Sequence, residues 1–167
     1  MAPHDEVQLN SEAPEEEIYR QRLEKLERLR KEEGYNPFRI ERWTREHPLS
    51  YVVERYSHLA PDEHADSLVV TAGRIMTIRR HGRASFADLE DETSRLQLYF
   101  QVDALGEASY DFFKKWVDPG DFVGIKGHPF RTRRGELSIH VVEFKLLSKA
   151  LRPLPEKWHG LKDTEVR

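Results

Sequence analysis

The segment HGRASFADLEDETSRLQLYF, residues 81–100, contains two short runs in which apolar and polar side chains alternate. Alternation with a period of two is typical of β-strands that bury one face. In the first run the aromatic residue Phe86 falls on the same side as Asp88 and Glu90, opposite the small and apolar residues. We interpret Phe86 either as a residue that contacts a ligand or as a partly covered residue at the rim of the sheet.

The same period continues on both sides of this segment. Five strands are predicted, at residues 68–78, 83–90, 95–102, 121–131 and 136–147. The dipeptide His81-Gly82 is predicted to form the first tight turn, and aromatic residues at helical spacing predict a helix over residues 108–117. Three strands, a helix and two strands are the element order of an OB-fold. This is a five-stranded Greek-key barrel that binds oligonucleotides near its 1–2 and 4–5 loops.

The chain divides into four parts around this barrel. The first two parts are a disordered acidic tail (1–13) and an amphipathic helix with a connector (14–67). The OB-fold barrel (68–149) and a proline-interrupted hinge (150–167) follow. The fold class is therefore mainly β, with a helix between strands 3 and 4 and an N-terminal amphipathic helix before the barrel. We expect the hinge to lead toward a further domain that this chain lacks.

The N-terminal helix is predicted to start at Pro14 and to end at Gly34. Its apolar stripe consists of Ile18, Tyr19, Leu23, Leu26 and Leu29. This stripe favours docking of the helix on the barrel. The alternative is that the basic residues of the helix lie near RNA phosphates. The basic residues concerned are Arg22, Lys25, Arg28 and Lys31.

Composition excludes several classes of protein. The chain has a net charge of −3, 34% charged residues and no cysteine, which excludes disulfide frameworks and thiolate metal sites. No apolar run is long enough for a membrane span, so we expect a cytoplasmic protein without a membrane partner. Although the net charge is slightly negative, arginines cluster at the two predicted binding loops. These candidates for phosphate contact are Arg80, Arg83, Arg131, Arg133 and Arg134.

Strand alternation also predicts which side chains face outward. In strand 1 one side carries Val70, Ala72, Met76 and Ile78, and the other carries Thr71, Gly73, Thr77 and Arg79. Similar patterns in strands 2, 3 and 5 place a phenylalanine, an amide and a carboxylate outward as well, so that the outward set contains Arg79, Phe86, Gln97 and Glu136. An aromatic ring can stack on an unpaired base, and polar groups can read its edge.

The donor and acceptor in this set match one base in particular. An arginine beside a glutamate suits uracil, which offers carbonyl oxygens and an N3–H group, whereas cytosine would turn a lone pair toward the carboxylate. The alternative for Glu136 is a surface ion pair with Arg79 or Arg134.

Longer motifs resemble a known family. AGRIMTIRRHGRASFADLEDETSRLQLYF and GDFVGIKGHPFRTRRGELSIHVVEF are similar to the N-terminal anticodon-binding domain of class II lysyl-tRNA synthetases, and LLSKALRPLPEKWHGLKD resembles the hinge into their catalytic domain. The resemblance implies that Phe86 stacks on an anticodon base with Gln97 on its other side. It also implies that Arg79 and Glu136 recognise the central uridine of a lysine tRNA.

The resemblance further implies a parent ligase that charges tRNA with lysine and acts as a homodimer. Its ATP and Mg²⁺ would be bound by the catalytic domain, so we expect this chain alone to have no cofactor and no catalytic residues. No phosphate-loop, serine-hydrolase or zinc-protease motif occurs. The closest histidine pair, His58 and His64, has no third plausible ligand nearby, which argues against a metal site.

Two other functions remain open from the sequence. One is a sequence-tolerant single-strand-binding barrel, which would need no carboxylate at a base edge. The other is a protein-interaction module that docks a partner through the N-terminal helix and the connector residues Trp43, Tyr51 and Tyr56. His81 is expected either to cap its turn or to contact a phosphate.

Overall fold

A computed structural model describes residues 12–35 and 42–154 of the chain. It contains helices α1 (Glu12–Glu33), α2 (Leu49–Arg55), α3 (Val102–Leu105) and α4 (Glu107–Trp116), and strands β1 (Val69–His81), β2 (Ala84–Glu90), β3 (Arg95–Gln101), β4 (Phe122–Arg131) and β5 (Leu137–Ser148). Helix α1 begins inside the predicted tail 1–13, so the predicted start at Pro14 is two residues late. The rest of that tail and residues 155–167 of the predicted hinge lie outside the described residues.

The five strands form a closed barrel in the order β1-β2-β3-β5-β4. All neighbouring strands are antiparallel except β3 and β5, which are parallel. Helices α3 and α4 connect β3 to β4; α4 corresponds to the helix predicted over residues 108–117, whereas α3 was not predicted. The buried side chains of β2 and β3 are the predicted alternate residues: Ser85, Ala87, Leu89, Leu96, Leu98 and Phe100. The predicted OB-fold is confirmed.

In the first half of β1 the predicted alternation is wrong. Val69, Thr71, Gly73 and Ile75 are the buried residues there, while Val70, Ala72 and Met76 are only half-buried. A register shift between Ile75 and Thr77 opposite β2 marks a β-bulge, which reverses the phase of the side chains. Beyond the bulge the prediction holds, because Ile78 is half-buried and Thr77 and Arg79 are exposed.

The first hairpin turn lies one residue later than predicted. His81 belongs to β1 and pairs with Ala84, so the two turn residues are Gly82 and Arg83. Gly82 has a positive φ of 66°, a conformation that favours glycine in tight hairpins. The ring of His81 packs edge-on against Phe86, with 6.2 Å between centroids. His81 therefore supports the aromatic side chain of β2, a role that neither expectation included.

The connector between α1 and β1 packs on the barrel. The Trp43 indole covers Gly124 so closely that a Cβ atom there would overlap the ring, and its Nε1 donates to the Thr71 carbonyl at 2.9 Å. Other connector residues are buried in the same core, namely Leu49, Val52, Tyr56 and Leu59. Trp43 and Tyr56 are thus used internally, and of the three aromatic residues proposed for partner docking only Tyr51, 40% exposed, is on the surface.

Helix α1 is docked on the barrel. Leu29 is fully buried, Lys25 forms an ion pair with Asp118 at 2.9 Å, and Arg22 donates to the Ala150 carbonyl at 3.2 Å. Leu23 is 39% exposed, so it does not belong to the docked stripe. Two of the basic residues considered for RNA contact therefore hold the helix in place. No helix among the described residues is long and apolar enough to cross a membrane.

A buried ionic network lies where the chain leaves the barrel. Lys149 Nζ is 2.5 Å from Asp121 Oδ2 and 2.9 Å from Asp118 Oδ2, and it donates to the Trp116 carbonyl at 2.7 Å. Burial raises the pKa of Asp121 despite the attraction of Lys149. For Asp118 burial acts in the same direction, but the charges of Lys149 and Lys25 outweigh it and hold its pKa below the ordinary value. The network joins α1, the loop before β4 and the end of β5.

Candidate nucleic-acid interface

One row of side chains crosses the outer face of the barrel. The register pairs Arg79 with Phe86, Phe86 with Tyr99, and Tyr99 with His140, which places them in a line over β1, β2, β3 and β5. The rings of Phe86 and Tyr99 are 4.8 Å apart at an interplanar angle of 29°. Cross-strand aromatic pairs of this kind stabilise a sheet and order its surface. Phe86 is therefore held in place by its neighbours while remaining partly exposed.

A polar row lies beside the aromatic one. Thr77 is paired with Asp88, Asp88 with Gln97, and Gln97 with Ser138. Arg79 Nη2 donates to Gln97 Oε1 at 2.9 Å, and Gln97 Nε2 donates to Ser138 Oγ at 2.9 Å. Because a guanidinium only donates, this contact fixes the orientation of the Gln97 amide.

Glu136 lies at the end of the loop between β4 and β5. Its backbone N–H donates to Thr132 Oγ1 at 3.0 Å, and its carbonyl accepts from Ser138 Oγ at 3.2 Å. Its carboxylate is exposed and forms no ion pair with any residue in the described part of the chain, so neither Arg79 nor Arg134 binds it. Through Ser138, the backbone of Glu136 is connected to Gln97.

The four predicted base-contacting residues thus lie on one side of the barrel. Arg79 and Gln97 are hydrogen-bonded, Phe86 is the register partner of Arg79, and Glu136 is connected to the group through Ser138. The arrangement offers an aromatic plate beside an oriented arginine and amide, with the backbone of Glu136 bonded to the same Ser138 hydroxyl that accepts from Gln97. These are the elements that recognition of an unpaired base requires.

Residues 69–147 match a family model described as an OB-fold nucleic acid binding domain. The match spans β1 to β5, which is the whole barrel. The chain is also 44% identical over 151 residues to the lysine–tRNA ligase of Thermotoga maritima, an alignment that covers 90% of this chain and 30% of that protein. It is 46% identical over 156 residues to the lysine–tRNA ligase of Moorella thermoacetica, covering 92% and 30%. The predicted resemblance to the anticodon-binding domain of lysyl-tRNA synthetases is confirmed.

A third relative is similar over nearly the same length. The lysine–tRNA ligase of Methanoculleus marisnigri is 42% identical over 146 residues, which are 87% of this chain and 28% of that protein. The chain thus spans about 30% of the length of the curated relatives that it matches.

Four of the five arginines predicted to contact phosphates are exposed at the loops of the OB-fold domain. Arg83, at the first hairpin, lies 3.6 Å from both Asp103 and Glu107 and remains 69% exposed. Arg133 is 87% exposed and lies 3.3 Å from Asp62. Weak pairs between exposed groups contribute little to stability and can be exchanged for a phosphate. The other exposed members are Arg80 and Arg134.

Arg131 has a different role from the predicted one. Its guanidinium donates to three backbone carbonyls, those of Leu59 at 2.6 Å, Gly135 at 2.9 Å and Ser57 at 3.0 Å. Its donors are thereby committed to fixing the β4–β5 loop against the connector. Arg131 thus supports the loop that carries Arg133 and Arg134, a structural role that the sequence did not predict.

The OB-fold domain also places residues in the interface that the sequence did not single out. Phe130, on β4, packs near Tyr99 at 5.9 Å, and the ring of His64 stacks on Phe130 at 4.9 Å. Burial lowers the pKa of His140, as do the neighbouring histidines, so this residue is neutral at neutral pH. Alternation marks Tyr99 and His140 as outward, but only the strand register shows that they continue the row of Phe86.

Proposed function

We propose that this chain binds the anticodon loop of a tRNA through the outer face of its OB-fold barrel. The observation that carries the proposal is the hydrogen bond from Arg79 to Gln97 beside the partly exposed ring of Phe86. This combination provides a stacking surface and oriented polar groups where single-stranded nucleic acid binds OB-folds. The match to an OB-fold nucleic acid binding domain supports the same conclusion.

We further propose that the cognate RNA is a lysine tRNA with a U-rich anticodon. The relatives are lysine–tRNA ligases, and the chemistry of Arg79 and Glu136 suits a uracil edge. Phe86 would stack on one face of the base and the Gln97 amide would cover the other. Arg79 would donate to a uracil carbonyl while Glu136 accepts from N3–H. Cytosine lacks that hydrogen, so the carboxylate would face a lone pair at a desolvated edge.

The arginines of the two loops would contribute affinity without sequence preference. Because the net charge of the chain is −3, attraction to RNA depends on local clusters. Arg83 lies in the hairpin turn that precedes Phe86, and Arg133 and Arg134 precede Glu136 in the β4–β5 loop. Arg80 is less favourably placed, because it pairs with the buried Ser85 and donates to the Lys114 carbonyl at 3.3 Å. Contacts from these arginines to phosphates would fix the position of the loop so that the base groups can act.

At the level of the whole protein, we propose that this chain is the RNA-recognition part of a lysine–tRNA ligase. Activation of lysine with ATP and Mg²⁺, and assembly as a homodimer, would belong to the longer enzyme. The matched family is a binding domain, and this supports the expectation that the chain by itself is not an enzyme. The barrel would then decide which tRNA is delivered for charging.

The decisive experiment is a fluorescence titration with two RNA stem-loops, one with a UUU anticodon and one with the central U changed to C. We expect the wild-type chain to bind the UUU loop more tightly. Equal affinities would contradict base-specific recognition and favour a sequence-tolerant single-strand binder.

The substitution Glu136→Gln tests the proposed acceptor directly. A glutamine can present either a donor or an acceptor, so discrimination between the two loops should fall more than the affinity for UUU. The matched control is Glu143→Gln on β5. The exposed carboxylate of Glu143 lies 3.4 Å from Lys126 Nζ, outside the two rows of the interface. If both variants lose discrimination equally, Glu136 does not contact the base.

A further inference from the structure

Asp88 occupies the centre of the polar row and is not among the residues that the sequence predicts for the site. It lies on β2 two positions after Phe86, with Thr77 opposite on β1 and Gln97 opposite on β3. Its side chain is 25% exposed. A carboxylate in the middle of a surface that binds a polyanion is unfavourable for binding unless it has a specific task.

The contacts of Asp88 show what that task is. Thr77 Oγ1 donates to Asp88 Oδ2 at 2.7 Å, and Arg79 Nη1 lies 3.4 Å from the same oxygen. Arg79 Nη1 is also 3.2 Å from Thr77 Oγ1. One end of the guanidinium is therefore anchored on Thr77 and Asp88, while the other end, Nη2, donates to Gln97.

The negative charge of Asp88 also acts on a second arginine. Arg95 Nη2, from β3, is 3.9 Å from Asp88 Oδ2, so the carboxylate is shared by two guanidinium groups. Without it, the two positive groups would repel each other across β2. A released Arg79 side chain, which is 44% exposed, would turn toward the nearest phosphate.

We propose that Asp88 is a positioning residue for base discrimination: together with Thr77 it anchors Arg79 beside Gln97 and keeps this arginine directed at a base edge instead of a phosphate. The inference rests on the proposed function and adds to it the residue that makes the donor specific. Pre-organisation of a flexible arginine lowers the entropy cost of recognition, and the carboxylate cancels the attraction that an unanchored arginine would have for any RNA.

The test compares Asp88→Asn with the wild type on the UUU and UCU stem-loops. Asparagine keeps the size of the side chain and an oxygen for Thr77, but it removes the charge. We expect the ratio of the two affinities to fall roughly tenfold, the factor that corresponds to about 1.4 kcal/mol. Affinity for the UCU loop should stay equal or rise, since a negative charge has been removed. A merely structural role would instead lower both affinities together.

Glu90→Gln is the matched control. Glu90 lies on the same face of β2, is 45% exposed, and pairs with Arg95 at 3.9 Å, as Asp88 does. Its replacement removes the same charge without touching Arg79, so the affinity ratio should not change. If Glu90→Gln lowers the ratio as much as Asp88→Asn, the effect comes from general electrostatics and the proposal is wrong.

Two further readouts separate this inference from the proposed function. In an Arg79→Ala background, Asp88→Asn should leave the affinity ratio unchanged, because Asp88 acts through Arg79. In the RNA-free protein, NMR resonances of the Arg79 guanidinium should show restricted rotation that disappears in Asp88→Asn. A wild type without U-over-C preference would overturn both proposals. A preference that survives Asp88→Asn, or an unrestrained Arg79 in the wild type, would overturn this one alone.

Discussion

Two ion pairs between a basic residue and an aspartate differ widely in burial. Lys149 and Asp121 are 1% and 0% exposed and 2.5 Å apart, whereas Arg79 and Asp88 are 44% and 25% exposed and 3.4 Å apart. The first pair is surrounded by backbone groups that complete its hydrogen bonds, including the Ala150 N–H at 2.7 Å from Asp121. The second pair lies on the exposed outer face of the barrel.

The difference in burial determines how freely each pair can exchange partners. A buried charge cannot change partner without a large desolvation cost, so the Lys149 network fixes α1 and the end of β5 in one arrangement. An exposed arginine loses little when it exchanges one acceptor for another. Lys149 therefore cannot leave Asp121, whereas the side chain of Arg79 remains accessible to a ligand.

The largest expected effect comes from breaking the buried pair. Lys149→Met leaves Asp121 and Asp118 without their shared cation and should lower the free energy of unfolding by about 3–5 kcal/mol. Urea denaturation followed by circular dichroism measures this change. The control Lys126→Met breaks a surface pair, Lys126 with Glu143, and should cost about 0–1 kcal/mol. Similar losses of stability in the two variants would contradict the difference proposed between the buried and the exposed ion pair.

On the open face, Phe86→Ala should weaken binding of the UUU stem-loop by about 1–3 kcal/mol, because the base loses its stacking partner. The free energy of unfolding should change less than the free energy of binding, since the ring of Phe86 is only partly buried. Phe122→Ala is a suitable control, as its ring is 43% exposed and lies under Arg74, outside both rows. A loss of affinity in the Phe122 variant as large as in the Phe86 variant would mean that the loop binds elsewhere.

Asp91 provides an intermediate case, with a side chain 3% exposed beside the partly exposed Arg45. Burial opposes ionisation, but the N–H groups of Leu49, Thr93 and Ser94 and the Thr93 hydroxyl outweigh it and hold the pKa of Asp91 below 3.8. A carboxyl group whose pKa is lower in the folded state stabilises the protein at pH values above its pKa in the unfolded chain. This stabilisation disappears as the pH falls through the pKa of the folded state.

Asp91→Asn should therefore cost about 1–2 kcal/mol at neutral pH. The difference from the wild type should shrink as the solution is acidified below the ordinary pKa of 3.8. Urea midpoints measured over a pH series test both statements. A difference that stays constant down to the lowest pH would show that ionised Asp91 does not stabilise the fold.

The smallest expected effect concerns the exposed arginines of the β4–β5 loop. Replacing Arg133 and Arg134 together with alanine should lower affinity for the UUU and UCU loops alike. The slope of log affinity against log salt should flatten by up to about 0.7 for each phosphate that these arginines no longer neutralise. Arg20→Ala removes an exposed charge of α1 and serves as the control. An unchanged salt slope in the double variant would exclude binding of the RNA backbone by this loop.

The outward positions that the sequence predicts correctly share a physical cause. Strands β2 and β3 pair without a register shift from Ala84 to Glu90, so simple alternation identifies the outward residues Phe86 and Gln97. In β1 the bulge after Ile75 reverses that alternation, and nothing in the local pattern marks its position. Arg79 is placed correctly because it follows the bulge.

Contacts between distant segments could not be predicted from the sequence. Arg131 precedes an arginine-rich turn, which favours a phosphate contact, yet its donors reach Ser57 and Leu59 in the connector. The connector itself shows no clear period, and its role is visible only where Trp43 covers Gly124. Alternation likewise places Asp88 outward, but its hold on Arg79 depends on a side-chain geometry that alternation does not give.

The seam between β3 and β5 is the shortest strand pairing of the barrel. This seam is parallel and short, from Gln97 to Tyr99 opposite Ser138 to His140, whereas β4 and β5 pair along nearly their whole length. We therefore expect this seam to open more readily than the longer antiparallel pairings. A nucleotide held between Gln97 and Glu136 would bridge this joint, so RNA should slow amide hydrogen exchange along the seam and raise the melting temperature.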